Sequence, residues 1–348
     1  MSNETKQKFC SIGGSALMEG VMMRSPARTA IAVRKGNGDI ILKVSENKPA
    51  GKIIPKIPIL RGLVSFVKSM ILSYSSMMYS AEIAMEEIEE ETPPETPFEK
   101  FLTKLFGETG MAVLGTVAMI LGVLLSIALF FALPSLAVGF VTGLFPGFAA
   151  LTDATQRLIR SSGEGALKII IFFIYLLLIS RMKDIKRVFQ YHGAEHKSIF
   201  CYERGDELTP VNAAAHKRFH PRCGTSFLFL TLLVGVAISL FIPASIGTLW
   251  RTVIRVGMIP IMMGLAYECI RLAGKYDNLF TRILSAPGLW FQHITTKEPD
   301  EKQLEVAIAA LEGVLKDYPL DTQMVLKEDG YTLYKKEETD ESMPEADL

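Results

Sequence analysis

Two histidines and a glutamate stand together in the segment His192-Gly-Ala-Glu-His196. Residues four apart in a helix lie on the same face, so His192 and His196 can present their ring nitrogens to one cation. Glu195 has three interpretations: a general base, a further ligand, or a surface partner of a nearby lysine or arginine. The first two require a bound metal, and the segment therefore predicts a metal site with hydrolytic chemistry.

The order of these residues and their neighbours narrows that chemistry. His-x-x-Glu-His is the inverted form of the zincin motif, whose glutamate acts as general base toward metal-activated water. A second pair, His216 and His220, follows on a helix predicted to begin at Thr209-Pro210, and Cys223 comes just after it. Histidine and thiolate favour zinc, with iron or manganese as alternatives if carboxylates dominate. A solvated helix beside a membrane can carry such pairs without metal, so spacing alone leaves that alternative open.

Charged residues outside the 192–223 segment provide further candidates for the site. Glu268 falls about one turn from the predicted cytosolic end of an apolar span, where a charge is costly to bury. It is expected either to complete the metal shell or to pair with Arg271. Near the N-terminus, Glu19 and Arg24 lie in a glycine-containing run and are expected to pair with each other.

Composition places the 348-residue chain among membrane proteins. Hydrophobic residues make up 49% of it and occur in blocks, while 37 basic residues balance 37 acidic ones, which gives no argument for nucleic acid binding. The four cysteines form no Cys-x-x-Cys pair, which fits a reducing compartment. Four spans are predicted, at about Met111–Leu133, Ala166–Ile179, Ser226–Ala244 and Val253–Leu272.

Loop charges predict how these spans are oriented. The segment between the second and third spans carries most of the lysines and arginines of the loops. By the positive-inside rule, this segment and both termini lie in the cytosol of a multi-pass cell-membrane protein. The predicted fold is a mainly α integral membrane protein with four transmembrane helices, a small N-terminal cytosolic α+β part and cytosolic helices.

The predicted organisation has six parts. A β-hairpin is expected within residues 1–56, because Thr29–Val33 and Ile40–Val44 flank the turn residues Lys35–Asp39. An amphipathic helix over 57–92 lies either on the membrane or buried in the soluble part. The other parts are an acidic, Pro-rich linker and lead-in over 93–110, the membrane domain over 111–284 with its His-rich cytosolic loop 181–225, a cytosolic C-terminal helical part over 285–334, and a disordered acidic tail over 335–348.

Several distinctive sequence motifs are distributed along nearly the whole chain. The first is Gly-Gly-x-Ala-x-Met-Glu-Gly-Val-Met-Met-Arg-Ser-Pro, over 13–26, and others are Arg61-Gly62, 191–197, 220–227, Tyr267-Glu268, 271–273, 286–290 and 295–299. Together they resemble the bacterial YqhQ family, which is of unknown function and described as predicted metal-dependent enzymes. The resemblance implies a multi-span membrane protein with a metal site. It includes His192, Glu195, His196, His220 and Cys223 but not His216, which joins Glu19 and Arg24 in a second tier of site candidates.

These observations predict a membrane-bound, metal-dependent hydrolase with its site at the cytosolic face. His192, His196 and His220 would hold a divalent metal, zinc first, with Glu268 or Cys223 completing the shell and Glu195 as the general base. The expected partners are membrane lipid and a substrate such as a membrane protein or peptide, without nucleic acid. The alternative is a non-catalytic membrane scaffold or regulator with a structural metal or none. A transporter is less favoured, because the spans lack paired broken helices.

Overall fold

The computed structural model describes residues 12–47, 57–85, 117–220, 223–243, 245–275, 279–327 and 330–333. Cys10, the predicted linker over 93–110 and the acidic tail over 335–348 lie outside these residues. Among the described residues the chain is mainly helical, with one antiparallel sheet.

Six strands form this sheet in the order β1 to β6, each paired with the next. They are β1 Gly13–Leu17, β2 Gly20–Arg24, β3 Arg28–Arg34, β4 Ile40–Glu46, β5 Thr322–Lys327 and β6 Gly330–Leu333. The hairpin expected around residues 35–39 is confirmed, since β3 and β4 pair antiparallel from Arg34–Ile40 to Arg28–Glu46.

Strands β5 and β6 correct the expectation that residues 285–334 are only helical. β5 pairs antiparallel with β4, so the two ends of the chain complete one sheet. A signal for this hairpin exists in the Asp329-Gly330 dipeptide, which is typical of tight turns between strands. What a local pattern does not indicate is the partner strand, because β4 and β5 are separated by most of the chain.

The helices are numbered in chain order. They are α1 Leu60–Met85, α2 Val117–Gly143, α3 Asp153–Ile179, α4 Lys183–Arg204, α5 Pro210–Ala214, α6 Thr225–Ser239, α7 Thr248–Gly257, α8 Ile259–Lys275, α9 Leu279–Thr295 and α10 Glu301–Leu315. Helix α10 begins with a capping box, in which Asp300 and Gln303 bond each other's backbone N–H groups.

The main core lies between the sheet and two helices. Helices α4 and α10 pack on one face, where Val21, Ala32, Leu42, Tyr191 and Leu311 are fully buried. The C-terminal end of α1 covers the other face and contributes Ile83 to a smaller cluster. The remainder of α1 packs against α8, so this helix connects the sheet to the apolar helices.

Only part of the predicted membrane architecture is found. Helices α2 and α3, each of 27 residues, are long and apolar enough to cross a membrane, and α7 with α8 adds a third candidate if this pair, bent by 50°, is one span. Helix α6 has 15 residues and is about 22 Å long, shorter than a hydrocarbon core of about 30 Å. Within the residues that the structure describes, two or three helices could therefore span a membrane, and the predicted four spans are not confirmed.

The helix of the first predicted span extends beyond its predicted end at Leu133. Helix α2 does not stop before Pro134 but continues to Gly143. A π-helical turn over Ala128–Ala132 ends two residues before the proline. Such a turn widens the helix locally and changes its hydrogen-bond pattern, which removes the usual conflict of a proline with a helix interior.

Candidate metal centre

Helix α4 carries the two histidines of the His-x-x-Glu-His segment on one face. The ring centroids of His192 and His196 are 4.5 Å apart. His192 Nδ1 lies 2.8 Å from the carbonyl oxygen of Thr295, and His196 Nδ1 lies 2.5 Å from that of Arg218. A carbonyl can only accept, so in both rings Nδ1 carries a proton, and Nε2 is the atom left to coordinate a metal. Backbone carbonyls commonly orient metal-binding histidines in this way.

Cys223 brings a thiol to these nitrogens from the start of α6. Its Sγ lies 3.3 Å from His192 Nε2. One ligand atom each from His192, His196 and Cys223 all lie within 4.8 Å of one another. Ligands about 2.0–2.3 Å from one tetrahedral ion are roughly 3–4 Å apart, so this spacing needs only a small closure around zinc. The donor set, two imidazoles and a thiol, suits zinc better than magnesium or calcium.

Gly193 allows the chain after α9 to reach this face of α4. A Cβ built at Gly193 would collide with the carbonyl oxygen of Lys297. The Lys297 N–H donates to the carbonyl of Phe189 at 2.8 Å, so the 295–299 segment lies directly on the helix. This close approach is what puts the Thr295 carbonyl beside His192. Helix α4 is continuous at Gly193, so this glycine permits close packing and does not bend the helix.

Ion pairs fix the carbonyl that orients His196. Glu298 accepts from Lys197 at 3.0 Å and from Arg218 at 2.7 Å. Partial burial acts to raise the pKa of Glu298, but the hydrogen bonds from Lys197 and Arg218 outweigh it and hold that pKa below its ordinary value. Lys197 is buried and also donates to the Ala214 carbonyl at 2.9 Å. The loop that carries the Arg218 carbonyl is thereby tied to α4 at two points.

His220 lies next to the three donors without joining their group. Its ring centroid is 5.6 Å from that of His196, and its Nε2 is 3.8 Å from a carboxylate oxygen of Glu203. The side chain of Gln292 accepts from the backbone N–H of His220 and donates to its carbonyl, at 2.7 and 2.8 Å. Sequence reasoning missed Glu203, which is buried. Its spacing of seven from His196 puts it on the same helix face and was the available signal.

Glu268 forms the ion pair that was the alternative to metal binding. Its main partner is Arg61 of α1, whose Nε donates to Oε1 at 2.6 Å and whose Nη2 contacts Oε2. Arg271, the partner expected from the sequence, is 4.0 Å away. This bidentate pair joins α1 to α8, and Glu268 is not in the group formed by His192, His196 and Cys223.

The second-tier candidates lie apart from the three donors. His216 Nε2 is 2.9 Å from a carboxylate oxygen of Asp206. The expected pair between Glu19 and Arg24 is not formed. Instead, Glu19 accepts from Arg187 at both carboxylate oxygens and from the Tyr191 hydroxyl at 3.1 Å. Arg24 is exposed at the end of β2. Glu19 thus anchors α4 to the turn between β1 and β2.

Glu195 is directed from α4 toward the sheet edge. It is only 5% exposed, and the Gly14 backbone N–H donates to its carboxylate. Burial raises the pKa of Glu195, while His192 and the Gly14 hydrogen bond lower it by less. Within the described part of the chain, Glu195 Oε2 is buried without a hydrogen-bond partner. A carboxylate with these properties can accept and release a proton.

Two comparisons identify the relatives of this chain. The family model "Protein of unknown function (DUF1385)" matches residues 57–317. "Uncharacterized protein YqhQ" of Bacillus subtilis (strain 168) is 34% identical over 316 residues, which are 89% of this chain and 94% of that protein. The chain belongs to the YqhQ family. This confirms the resemblance inferred from the motifs. No solved structure matches the chain.

Two motifs of this YqhQ-family chain meet where Gly14 approaches Glu195. A Cβ at Gly14 would lie 2.5 Å from the Met22 carbonyl oxygen and 2.9 Å from the carboxyl carbon of Glu195. Neither group can retreat easily, since Met22 lies within the sheet and Glu195 is buried. The glycine is therefore required by the close approach of strand β1 both to β2 and to helix α4.

This contact predicts different effects for two neighbouring glycines. Gly14→Ala is expected to lower the free energy of unfolding by about 1–3 kcal/mol, because it overpacks the contact between β1 and α4. Gly13→Ala is the matched control, since a Cβ there meets nothing within 4 Å. Chemical denaturation of the two variants measures the difference, and equal stability would show that Gly14 is not confined by the Met22 carbonyl and Glu195.

Proposed function

We propose that this protein is a membrane-bound, metal-dependent hydrolase whose site is formed by His192, His196 and Cys223. The observation that carries the proposal is the convergence of three donor atoms within 4.8 Å. The backbone carbonyls that accept from both Nδ1 atoms support the proposal further, because they leave Nε2 of each ring to coordinate a metal. Three protein ligands leave one tetrahedral position open, which is the pattern of catalytic rather than structural zinc sites.

Each residue has a defined role in this proposal. A divalent cation, zinc first, would supply the positive charge that polarises a substrate bond and lowers the pKa of water. His192 and His196 hold it through rings oriented by Thr295 and Arg218, and Cys223 adds a thiolate. Glu195, whose pKa is raised by burial and which interacts electrostatically with His192, would be the general base that takes a proton from water and passes it to the leaving group.

The shared sheet supports a location of the site at one membrane face. Strands from both ends of the chain pair in this sheet, and α4 packs against β1 and β2. The N-terminal strands, the C-terminal strands and α4 therefore belong to the same side of the membrane. The chain between α1 and α4, and that between α4 and α10, must then each cross the membrane an even number of times. Helices α2 and α3 form one such pair. The excess of basic residues in 181–225 favours the cytosolic side.

The substrate class follows from this placement. Because α4 begins four residues after α3 ends, the site lies near the membrane surface. We infer a substrate with a polar bond at that surface, such as a membrane protein or peptide. The runner-up function, a scaffold with a structural metal, would use the same donors in a closed four-ligand shell.

Metal analysis of the purified full-length chain tests the proposal. About one zinc per chain is expected for the wild type, and at least a tenfold lower content for His196→Ala and for Cys223→Ser. His216→Ala is the matched control, because His216 pairs with Asp206 outside the group and should leave the metal in place. Equal metal content in all variants would refute the site.

Spectroscopy separates the enzyme from the scaffold. Cobalt(II) in place of zinc gives a visible spectrum that depends on coordination. A spectrum that changes when thiocyanate is added indicates an open position, as an enzyme needs. An unchanged spectrum, together with full metal content, would contradict the hydrolase and leave the scaffold.

A further inference from the structure

A cluster of buried charges lies among the apolar helices, away from the His192–His196–Cys223 group. Glu164 of α3 is 3% exposed, and Arg251 and Arg255 of α7 are 1% and 5% exposed. Arg255 contacts one carboxylate oxygen of Glu164, and Arg251 Nε is 3.3 Å from the other. The Ser135 hydroxyl also donates to Glu164, at 3.0 Å. One carboxylate thus serves two guanidinium groups.

Lys168 adds a third cation to this cluster. It follows Glu164 by four residues, about one turn of α3, so its side chain lies on the same side of that helix. Its ammonium lies 4.2 Å from the centre of the Phe131 ring. In the described part of the chain no carboxylate lies within ion-pair distance of it. Three cations, Arg251, Arg255 and Lys168, therefore face one anion, Glu164, which leaves an excess of two positive charges.

The cavity beside Lys168 is large and mostly apolar. It has a volume of about 770 Å³ between α2, α3, α6 and α8. That volume falls within the range of roughly 300–1,000 Å³ typical of ligand sites. Lys168 is the sole charged residue among the described residues that line it, and Leu125, Phe130, Phe172 and Met262 are representative of the rest. The excess charge is therefore adjacent to a space suited to hydrocarbon.

We propose that this cavity binds one anionic phospholipid, with an acyl chain against the apolar walls and the phosphate beside Lys168. A free inorganic anion would neutralise the charge but leave the apolar walls uncovered. A zwitterionic lipid would fill the cavity but supply no net negative charge. An anionic phospholipid meets both requirements, and the apolar faces of α2 are exposed where such lipids surround the protein.

Lipid binding to the full chain in detergent tests this site. Native mass spectrometry would compare phosphatidylglycerol with phosphatidylcholine of the same acyl chains. The wild type is expected to prefer phosphatidylglycerol, and Lys168→Met should reduce that preference about fivefold, the effect of one basic residue near a lipid surface. Lys183→Met is the matched control, because Lys183 is exposed at the start of α4 and the charge change is the same.

A second variant tests the cavity independently of its charge. A Cβ at Gly122 meets nothing within 4 Å, and Gly122 lines the cavity, so Gly122→Phe should fill it without disturbing the fold. Both lipids are then expected to bind at least tenfold more weakly. This variant, with Lys168→Arg as a charge-retaining form, keeps the test decisive if Lys168→Met does not fold.

Three results would overturn the proposal. They are an undiminished phosphatidylglycerol preference in Lys168→Met, unchanged lipid binding in Gly122→Phe, and displacement of phosphatidylglycerol by inorganic phosphate alone. The metal content of these variants should equal that of the wild type, because none of the substituted residues is near the His–His–Cys group. A failure of the lipid site therefore leaves the proposed metal site untouched, and the reverse also holds.

Discussion

Alanine at position 193 is expected to weaken metal binding by roughly 10–100-fold, although Gly193 is itself no ligand. Its Cβ would collide with the Lys297 carbonyl oxygen, a backbone atom fixed by the Lys297–Phe189 hydrogen bond. Relief of the collision must move the 295–299 segment away from α4. The Thr295 carbonyl then leaves His192, which loses the partner that sets its tautomer. Competition with a chelator of known affinity measures the change in metal affinity.

Gly257→Ala is the control for this substitution. Gly257 is also helical, but a Cβ there meets nothing within 4 Å, so metal affinity should stay at the wild-type value. A loss of affinity confined to Gly193→Ala would locate the effect in the contact with Lys297. Wild-type affinity in both variants would show that the Thr295 carbonyl does not govern His192.

Loss of the Glu164 carboxylate is expected to have the largest effect on stability. Glu164→Gln leaves Arg251 and Arg255 buried without a counter-charge. Removal of one partner of a buried ion pair typically costs about 3–5 kcal/mol. Because α2, α3 and α7 meet at this carboxylate, their packing should loosen together. Thermal unfolding of the purified protein in detergent would register a markedly lower midpoint.

Asp153→Asn provides the comparison within the same helix. Asp153 also forms an ion pair, with Arg157 at 3.0 Å, but its side chain is 58% exposed. Surface pairs of this kind contribute only about 0–1 kcal/mol, so the midpoint should change little. Similar midpoints for the two variants would mean that the Glu164 cluster does not hold the apolar helices together.

The local features of this protein could be predicted because they depend on short stretches of sequence. The β3–β4 hairpin follows from strand-forming segments on either side of a glycine-rich turn. The shared face of His192 and His196 follows from helical periodicity. Apolar helices were recognisable by composition, but their ends were not. Pro134 in α2 shows why, since a π-helical turn accommodates a residue that normally ends a helix.

The environment of Glu268 and Glu195 could not be predicted in the same way. Glu268 had two interpretations, and its partner proved to be Arg61, 207 residues away in sequence. The environment of Glu195 likewise depends on Gly14 of β1, which is distant from it in sequence. No periodicity relates such pairs, because their proximity results from how whole helices and strands pack.

The sequence by itself determined the chemistry available to this protein: a histidine pair with an adjacent glutamate, a nearby cysteine, and apolar helices around it. Tertiary structure decided which of these groups meet. It brought Cys223 to His192, gave Glu268 to Arg61, and joined β5 to β4. The physical reason is that residue type and spacing fix donors, charge and local conformation, whereas contacts between distant residues depend on the close packing of complete elements.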